Sequence, residues 1–253
     1  MKLAVLHTNS ELRAFINGKP NVRLGFVPTM GALHEGHLEL VRRARRDCEL
    51  VGVSIFVNPT QFNDPKDLEK YPRNLERDMK LLDSVGADFL FFPEYSQIYS
   101  DGYRFKVAEE PFSKTLCGAH RPGHFDGVLT VVMKLLNLVK PTKAYFGEKD
   151  YQQLKLITDM VSAFHMGCEI VPCPTVREPD GLAMSSRNTR LTPAHREVAP
   201  TLYRVLQTAA SDEEARLQLI QNGFRVDYVE TVEGRRFGAA FLGDVRLIDN
   251  VQV

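Results

Sequence analysis

The sequence predicts an α/β fold, in which a Rossmann-like, doubly wound parallel sheet is followed by a smaller C-terminal α+β domain. Two observations favour this class. Short apolar runs alternate with longer amphipathic runs as far as Cys173, which is the pattern of parallel strands joined by crossover helices. After Cys173 the chain changes to a Pro- and Gly-containing stretch and then to shorter, more charged segments.

The apolar runs are predicted to form the strands of the sheet, because they are short and rich in Val, Ile, Leu and Phe. They cover residues 24–27, 50–57, 88–92, 144–146 and 169–171. The amphipathic runs predict crossover helices over residues 36–46, 74–85, 125–139 and 151–164. Right-handed crossovers would place the functional loops at the carboxyl ends of the strands.

The change of texture predicts a domain boundary near Pro174. Residues 1–174 would form the Rossmann-like domain, and residues 175–253 would form a small domain that closes over it as a lid. A helix is predicted over residues 192–208 of the small domain. A loop at such a domain junction is well placed to cover a site.

Charge and composition exclude several classes of protein. Lys plus Arg (32) equals Asp plus Glu (32), so no overall field favours nucleic acid or an anionic membrane as a partner. The most apolar stretch, residues 128–139, is too short for a membrane span and predicts a buried helix. The N-terminal apolar run is too short for a signal peptide, so we expect a cytoplasmic protein with reduced cysteines.

Cys117, His120 and His124 raise the question of a metal site. Their C-x2-H-x3-H spacing supplies three ligands and lacks a second pair at zinc-finger spacing. The alternative, a loop with incidental Cys and His, is favoured.

The strongest functional segment covers residues 26–37, where a strand runs through a Gly-containing turn into a helix predicted to start near Gly36. Glycines allow a ligand to approach the backbone, and a helix N-terminus offers free N–H groups to phosphate. His34 and His37 would project on one side and donate hydrogen bonds to a phosphoryl group in its transition state. The alternative is a surface or capping pair, but the strand–turn–helix context favours nucleotide binding.

Two further strands are predicted to end in polar residues. Asn58 and Gln61 follow the second strand and could bind substrate hydroxyl or carboxylate groups, although an Asn-Pro turn is an equal alternative. In residues 144–153, Gly147 allows close approach, Lys149 can neutralise phosphate, and Asp150 can cap a helix or bind ribose. Gln153 would face the same cleft, and a charged turn is the alternative for the whole segment.

Two loops complete the candidate site. Ser185, Ser186 and Arg187 could surround a polyphosphate and neutralise departing pyrophosphate, although alone they would more often form an N-cap and linker. Arg121 could bind a substrate carboxylate, and its alternative is a solvated loop charge.

These segments, in this order, resemble the pantoate-β-alanine ligase family of the HxGH nucleotidyltransferase superfamily. The matching strings are VPTMGALHEGH, VSIFVNPTQF, YPR, RPGHFDGV, KAYFGEKDYQQ, DGLAMSSRN and LGDVRLIDN, and they span nearly the whole chain. HxGH alone is typical of the superfamily, whereas its combination with NPTQF, GEKDYQQ and MSSRN is specific to this family.

The resemblance implies ATP-dependent condensation of pantoate with β-alanine in two steps. Pantoate would attack the α-phosphate of ATP to give pantoyl adenylate and pyrophosphate, and β-alanine would then displace AMP to give pantothenate. Mg²⁺ would accompany ATP and neutralise phosphate charge, with Asp78 as a candidate ligand. The resemblance also implies a homodimer.

The resemblance also assigns site residues at the matching positions. The ATP site would comprise Met30, Gly31, Ala32, Leu33, His34, Glu35, Gly36, His37, Gly147, Glu148, Lys149, Asp150, Val176, Met184, Ser185, Ser186 and Arg187. The pantoate and β-alanine site would comprise Pro28, Thr29, Asn58, Gln61, Arg121 and Gln153. The catalytic residues would be His34, His37, Lys149, Ser185, Ser186 and Arg187.

In families of this kind, the residue at the position of His37 is assigned as a proton donor. We favour electrostatic stabilisation by His37, because a carboxylate nucleophile is already ionised at neutral pH and needs no base.

The chain departs from the family between Arg196 and the LGDVRLIDN string, where it looks shorter than the usual pattern.

Two other functions compete with the ligase. A simple nucleotidyltransferase would stop at a stable nucleotide conjugate, and a non-catalytic nucleotide sensor would keep the turns but need no chemistry. The joint presence of His34, Lys149 and Arg187 favours a catalytic function over a nucleotide sensor.

Overall fold

The computed structural model describes residues 2–253 and contains two sheets. The strands of the parallel sheet are β1 (Ala4–Leu6), β2 (Leu24–Thr29), β3 (Leu50–Ile55), β4 (Phe89–Phe91), β5 (Lys143–Gly147) and β6 (Glu169–Cys173). The strands of the antiparallel sheet are β7 (Arg225–Val232), β8 (Arg235–Leu242) and β9 (Val245–Gln252). The predicted α/β class with a smaller α+β part is confirmed.

Helices precede and follow the strands along the described chain. The α-helices are α1 (Asn9–Asn17), α2 (Glu35–Asp47), α3 (Pro65–Glu69), α4 (Leu75–Ser84), α5 (Tyr95–Ile98), α6 (Leu116–His120), α7 (His124–Val139), α8 (Tyr151–Ala163), α9 (Pro193–Val198), α10 (Thr201–Thr208) and α11 (Asp212–Gln221). Short 3₁₀ helices cover Pro59–Gln61, Phe112–Lys114, Glu148–Asp150 and Ser186–Arg190.

The order of the large sheet, β1-β4-β3-β2-β5-β6, places a reversal between β2 and β5. The chain moves outward from β2 through β3 to β4 on one side, and later adds β5 and β6 on the other side. In doubly wound sheets, ligands bind in the crevice at the carboxyl ends of the strands beside such a reversal. The segments that follow β2 and β5 are those with the histidine pair and Lys149.

The large sheet is covered on both faces, as parallel sheets require. On one face Phe26 and Phe89 pack in a core with residues of α1, α7 and α8. On the other face Val27 and Val53 pack against residues of α2 and α4. Successive residues of a strand point to opposite faces, and both faces of this sheet are buried. The apolar runs of β2 and β3 are therefore nearly continuous rather than alternating.

The small sheet forms a separate core with α10 and α11, in which Leu206 and Leu219 are fully buried. Tight turns with positive φ angles connect its strands, at Glu233 and Gly234 (49° and 74°) and at Gly243 (56°). The buried Arg236 of β8 donates hydrogen bonds to the carbonyls of Leu206 and Ala209.

Sequence and structure differ at several elements. The single helix predicted over residues 192–208 is wrong, because α9 and α10 are separate helices with Pro200 at the N-cap of α10. Helix α2 begins at Glu35 rather than Gly36. β1, α1 and the strands of the small sheet were not predicted individually. Over residues 2–253, no helix is both long enough and apolar enough to cross a membrane.

Candidate active site

A cavity of about 250 Å³ opens at the carboxyl ends of β2, β3, β5 and β6. It brings together most of the predicted site residues, although they come from distant parts of the sequence. Those that line it are Pro28, Thr29, Met30, His34, Gly36, His37, Asn58, Gln61, Arg121, Gly147, Lys149, Asp150, Gln153, Val176, Met184, Ser185, Ser186 and Arg187.

The other predicted site residues lie behind the cavity wall: Gly31, Ala32, Leu33, Glu35, Asp78 and Glu148. Leu33 is buried in the core, and Glu35 forms an ion pair with Arg42 on the surface of α2. The Glu148 carbonyl accepts a hydrogen bond from Asn250.

The two histidines of the HEGH string interact at the start of α2. His34 is the N-cap residue, and its Nδ1 accepts a hydrogen bond from the Gly36 N–H at 3.2 Å. Nδ1 of His37 accepts from the His34 N–H at 3.4 Å, and the ring centroids are 4.1 Å apart. Since Nδ1 is an acceptor in both rings, we infer that both carry their proton on Nε2.

The pKa of both imidazoles is shifted below the ordinary histidine value. Burial lowers the pKa of His34 to about 4, and the charge of Lys149 adds to this shift. Burial lowers the pKa of His37 to about 3, with further contributions from His34 and Lys149. Both rings are therefore neutral at neutral pH and can offer N–H donors, but no positive charge, to a ligand.

The turn before α2 depends on two glycines. A Cβ atom on Gly36 would lie 2.9 Å from Cε1 of His34, so a larger residue would displace that ring. Gly31 has a φ angle of 77°, and its Cβ would lie 2.9 Å from Ile55. These contacts explain the glycines without reference to a ligand.

Asp78 stabilises the same turn from α4. Its carboxylate oxygens accept hydrogen bonds from the N–H groups of Ala32 at 2.8 Å and Leu33 at 2.9 Å. Ala32 has a φ angle of 51°, a conformation that costs free energy for a residue with a side chain. Asp78 is 1% exposed and lies outside the cavity lining, so we assign it to the turn rather than to magnesium.

Asn58 uses its buried side chain within the protein. Its Nδ2 donates hydrogen bonds to Oε1 of Gln61 and to the Gly127 carbonyl, both at 3.1 Å. Its Oδ1 accepts from the hydroxyls of Thr60 and Tyr99. Asn58 is therefore best placed to orient Gln61, whose Nε2 points toward Met30 Sδ.

Arg121 and His124 also contact Gln61. His124 Nδ1 donates to the Gln61 carbonyl at 2.8 Å, and Arg121 donates to the same carbonyl and to Nε2 of His124. Burial and then the charge of Arg121 lower the pKa of His124 to about 3. Burial, followed by the charges of Arg187 and Arg246, lowers the pKa of Arg121 to about 10, which leaves its guanidinium charged.

The segment after β5 places Lys149 beside the histidines. A Cβ atom on Gly147 would meet no other atom within 4 Å, so this wall of the cavity is open to a close ligand. Lys149 Nζ lies 3.7 Å from Asp150. Asp150 is the N-cap residue of α8 but makes no side-chain capping bond, contrary to one of its two predicted roles.

The loop with Ser185 and Arg187 reaches the cavity from the C-terminal side. Ser185 caps a 3₁₀ helix by accepting a hydrogen bond from the Arg187 N–H at 3.3 Å. The Arg187 guanidinium donates to Asp67 of α3 at 2.9 Å and lies over the ring of Tyr71. Sequence reasoning missed Asp67 as a neighbour of the site, whereas the matching strings YPR and RPGHFDGV contained Tyr71 and His124.

A second cleft of about 620 Å³ adjoins the cavity and shares Arg121, Lys149, Asp150, Ser185 and Arg187 with it. Its lining contains more Lys and Arg side chains than acidic ones, so the combined space suits a polyanion.

Within residues 2–253, no three His, Cys, Asp or Glu side chains are grouped as a metal site would require. Cys117 Sγ contacts the Tyr228 hydroxyl at 3.1 Å, whereas His124 contacts Arg121 and Gln61.

Comparison with known proteins gives one consistent family. The family model described as pantoate-beta-alanine ligase matches residues 4–252. A pantothenate synthetase from Bdellovibrio bacteriovorus is 58% identical over 249 residues, which cover 98% of this chain and 99% of the relative. One from Thermotoga petrophila is 44% identical over 276 aligned positions, again covering 98% and 99% of the two chains.

Solved structures agree with the sequence relatives. The pantoate-beta-alanine ligase from Francisella tularensis, complexed with beta-gamma ATP and beta-alanine, superposes with a TM-score of 0.95. It is 41% identical, and the superposition covers 99% of this chain and 97% of that one. A pantothenate synthetase structure from Thermus thermophilus gives a TM-score of 0.92 at 43% identity and 99% coverage of both chains.

The lengths of these alignments bear on the predicted shortening of the chain. The 276 aligned positions of the Thermotoga relative exceed the 253 residues of this chain, so that relative contains residues that this chain lacks. The 249-residue match to 99% of the Bdellovibrio relative shows that the shorter length is shared with it.

Proposed function

This chain belongs to the pantoate-β-alanine ligase family, and we propose which residues of its cleft bind each substrate and assist each step of the reaction. The chain is an ATP-dependent ligase that joins pantoate to β-alanine through pantoyl adenylate, with AMP and pyrophosphate as the other products. One observation supports the proposed roles above all. The Nδ1 atoms of His34 and His37 both accept backbone hydrogen bonds, which leaves their Nε2 atoms to donate, and both rings line the same cavity as Lys149 at the reversal point of the sheet.

ATP would occupy the side of the cleft between the HEGH turn and the C-terminal segments that carry Val176 and residues 184–187. Gly147 leaves space for the ribose, and Asp150 would accept hydrogen bonds from its hydroxyls. Val176 and Met184 would contact the adenine. The triphosphate would extend past Lys149 toward Ser185, Ser186 and Arg187, where basic side chains outnumber acidic ones in the lining of the adjoining cleft.

Pantoate has a carboxylate, two hydroxyls and a dimethyl carbon, and the rest of the cavity matches these groups. Gln61 and Gln153 would bind the hydroxyls and carboxylate, with Asn58 holding Gln61 in orientation. Val128, Val131 and Val132 of α7 provide an apolar wall for the dimethyl group.

In the first step, a pantoate carboxylate oxygen would form a bond to the α-phosphorus as the bond from that phosphorus to the bridging oxygen breaks. Pyrophosphate leaves with that electron pair. The Nε2–H groups of His34 and His37 would donate to the α-phosphoryl oxygens, whose charge rises in the transition state. The charges of Lys149 and Arg187 would neutralise the leaving group.

In the second step, the unprotonated amine of β-alanine would attack the acyl carbon of the adenylate. The bond from this carbon to the phosphate oxygen breaks, AMP leaves with the electron pair, and the proton that the attacking nitrogen loses passes to the AMP phosphate or to water. The positive charge of Arg121 at the far wall suits the carboxylate of β-alanine. A lid formed by residues 175–253 would keep water from the adenylate between the steps.

Magnesium would enter as the partner of ATP and neutralise charge on the phosphate oxygens. Asp150 is the acidic residue in the described lining of the cavity, and Mg²⁺ commonly binds through one or two carboxylates plus substrate phosphates. Because Asp150 is assigned to the ribose, the described residues fit an ion held mainly by the phosphate oxygens of ATP.

A homodimer and a cytoplasmic location complete the proposal, on the strength of the family. Sedimentation at micromolar concentration that gave only monomer would contradict the dimer.

The test of the function is release of pyrophosphate and AMP from ATP, measured with pantoate and Mg²⁺ in the presence and absence of β-alanine. We expect pantothenate and steady AMP release only when both substrates are present. A stable nucleotide conjugate with no amine dependence would support a simple nucleotidyltransferase. ATP binding with no pantoate-dependent pyrophosphate would support a sensor.

A further inference from the structure

One acidic residue outside the sites assigned above joins the two parts of the chain at the phosphate end of the cleft. Asp67 lies on α3, and its oxygens accept hydrogen bonds from Arg187 at 2.9 Å and from Arg190 at 2.8 Å. All three side chains are about one quarter exposed, and Asp67 is separated from these arginines by 120 and 123 residues.

The pairing leaves part of Arg187 available. Only Nη2 of its guanidinium contacts Asp67, and over residues 2–253 its Nε and Nη1 donate no hydrogen bond. The guanidinium lies over the buried ring of Tyr71, 5.9 Å from the centroid, and Phe62 contacts that ring in an edge-to-face arrangement. Arg187 is thus fixed at one corner and along one face, while its remaining donors are free for an anion.

Arg190 has a different role from Arg187, which is to balance the negative charge of Asp67. Asp67 alone would cancel the charge of Arg187 and weaken its attraction for a triphosphate. With Arg190 on the second oxygen, the three residues keep one net positive charge. Burial by itself would raise the pKa of Asp67, but the charges and hydrogen bonds of the two arginines lower it, so the carboxylate stays ionised at neutral pH.

We propose that Asp67 is a positioning residue for the adenylation step, which orients Arg187 toward the phosphates of ATP, while Arg190 compensates the charge of Asp67. This inference rests on the proposed function, because it takes the anion at Arg187 to be the triphosphate of ATP.

The test is the Asp67→Asn variant, in which charge and position predict opposite results. The substitution adds one net positive charge, so a purely electrostatic role would tighten ATP binding. A positioning role requires weaker binding, since Arg187 loses its charged acceptor. We expect the Kd of Mg-ATP, measured by calorimetry without pantoate, to rise about tenfold. Pantoate-dependent pyrophosphate release should fall by a similar or larger factor.

Three variants make the result specific. Asp64→Asn is the matched control: it makes the same charge change three residues away, where Asn can still cap α3 through the Lys66 N–H. It should leave the Kd unchanged or slightly lower. Arg190→Gln should weaken ATP binding by removing the compensating charge. Asp67→Glu should recover part of the loss and supplies the comparison if Asp67→Asn proves unstable in thermal unfolding.

A folded Asp67→Asn protein that bound Mg-ATP as well as the Asp64→Asn control, or better, would overturn the proposal. A wild-type protein that bound ATP but released no pyrophosphate with pantoate would instead contradict the proposed function. The comparison of ATP affinities would still be interpretable in that case.

Discussion

At the scale of single residues, the neutral state of His37 determines what this side chain can contribute. Its Nε2–H can donate to a phosphoryl oxygen, but a ring with a pKa of about 3 carries no charge for ATP in the ground state. We therefore expect His37→Asn to lower pantoate-dependent pyrophosphate release about 100- to 1,000-fold, the usual loss for one transition-state donor. The Kd of ATP should change little, because the Asn oxygen can still accept from the His34 N–H.

His165→Asn is a suitable control for that prediction. His165 has a φ angle of 50°, which Asn tolerates, and it lies at the C-terminal end of α8, away from the cavity. Single-turnover pyrophosphate release and calorimetry would separate chemistry from binding. Equal losses in rate and ATP affinity for His37→Asn would show that its role is uniform binding instead.

The same histidines predict how stability depends on pH. In the folded protein the pKa is about 4 for His34 and about 3 for His37 and His124, below the ordinary value of 6.5. The unfolded chain therefore binds more protons below about pH 6.5, and the free energy of unfolding should fall as pH decreases from there. Each ring can contribute up to about 1.4 kcal/mol per pH unit.

Denaturant unfolding at several pH values between about 6.5 and 5, above the range in which most carboxylates titrate, would measure this slope. His37→Asn should show a shallower slope than the wild-type protein, because it lacks one of the titrating rings. Parallel slopes would mean that His37 is protonated as readily in the folded state as in the unfolded chain.

Which residues line the cavity was largely predictable, because ligand-facing residues follow strand ends in short, distinctive strings. The supporting contacts were not. Asp78 lies 46 and 45 residues from the N–H groups of Ala32 and Leu33, and the bond from Asn58 to the Gly127 carbonyl spans 69 residues. Periodicity and local motifs carry no information on such pairs, so these supporting bonds of Asp78 and Asn58 were not predicted.

At the scale of elements, the approach of α7 to the 3₁₀ helix Pro59–Gln61 fixes the position of Gln61. A Cβ atom on Gly127 would lie 2.5 Å from the Thr60 carbonyl oxygen and 2.9 Å from the Gln61 nitrogen, both backbone atoms that cannot rotate away. Gly127→Ala should lower the free energy of unfolding by about 1–3 kcal/mol through overpacking. It should also raise the KM for pantoate more than that for ATP.

Gly167→Ala provides the comparison, since a Cβ atom there meets no atom within 4 Å. Denaturant unfolding and initial rates at varied pantoate would give both quantities. A Gly127→Ala protein with unchanged stability and pantoate KM would show that α7 can shift at no cost to the site.

The elements of the large sheet were predicted best, because buried parallel strands read as continuous apolar runs and their helices are long. β1 has three residues and gives too weak a pattern. In the small sheet, Glu233-Gly234 and Gly243-Asp244 are typical hairpin turns, but the charged β8 residues Arg235 and Arg236 obscure the alternation. Arg236 is buried because the Asp212 carboxylate and two backbone carbonyls satisfy its guanidinium, which the sequence does not reveal.

At the scale of the whole molecule, the small sheet contacts the site through its last strand. The Nδ2 of the buried Asn250 in β9 donates to the carbonyls of Glu148 at 2.9 Å and Lys149 at 3.0 Å. Its Oδ1 accepts from Arg235. This residue therefore connects the proposed lid to the backbone that carries Lys149, a relation between domains that depends on their packing and is absent from any local string.

Asn250→Ala should remove this connection and leave a small cavity. Loss of the hydrogen bonds to two carbonyls should lower the free energy of unfolding by about 1–3 kcal/mol. If the lid and Lys149 act together, the KM for ATP should rise severalfold. More AMP should also form per pantothenate, because a looser lid would admit water to the adenylate.

Asn222→Ala is the control, because Asn222 lies at the exposed C-terminal end of α11, where its side chain donates to the Gln218 carbonyl of the same helix. Measuring AMP and pantothenate in the same reaction would give the ratio directly. A ratio that stays at one to one in Asn250→Ala, with reduced stability alone, would mean that the small sheet stabilises the fold without governing access to the intermediate. A ratio of AMP to pantothenate above one would show that the Asn250 side chain, and with it the small sheet, helps to keep water out of the closed cleft.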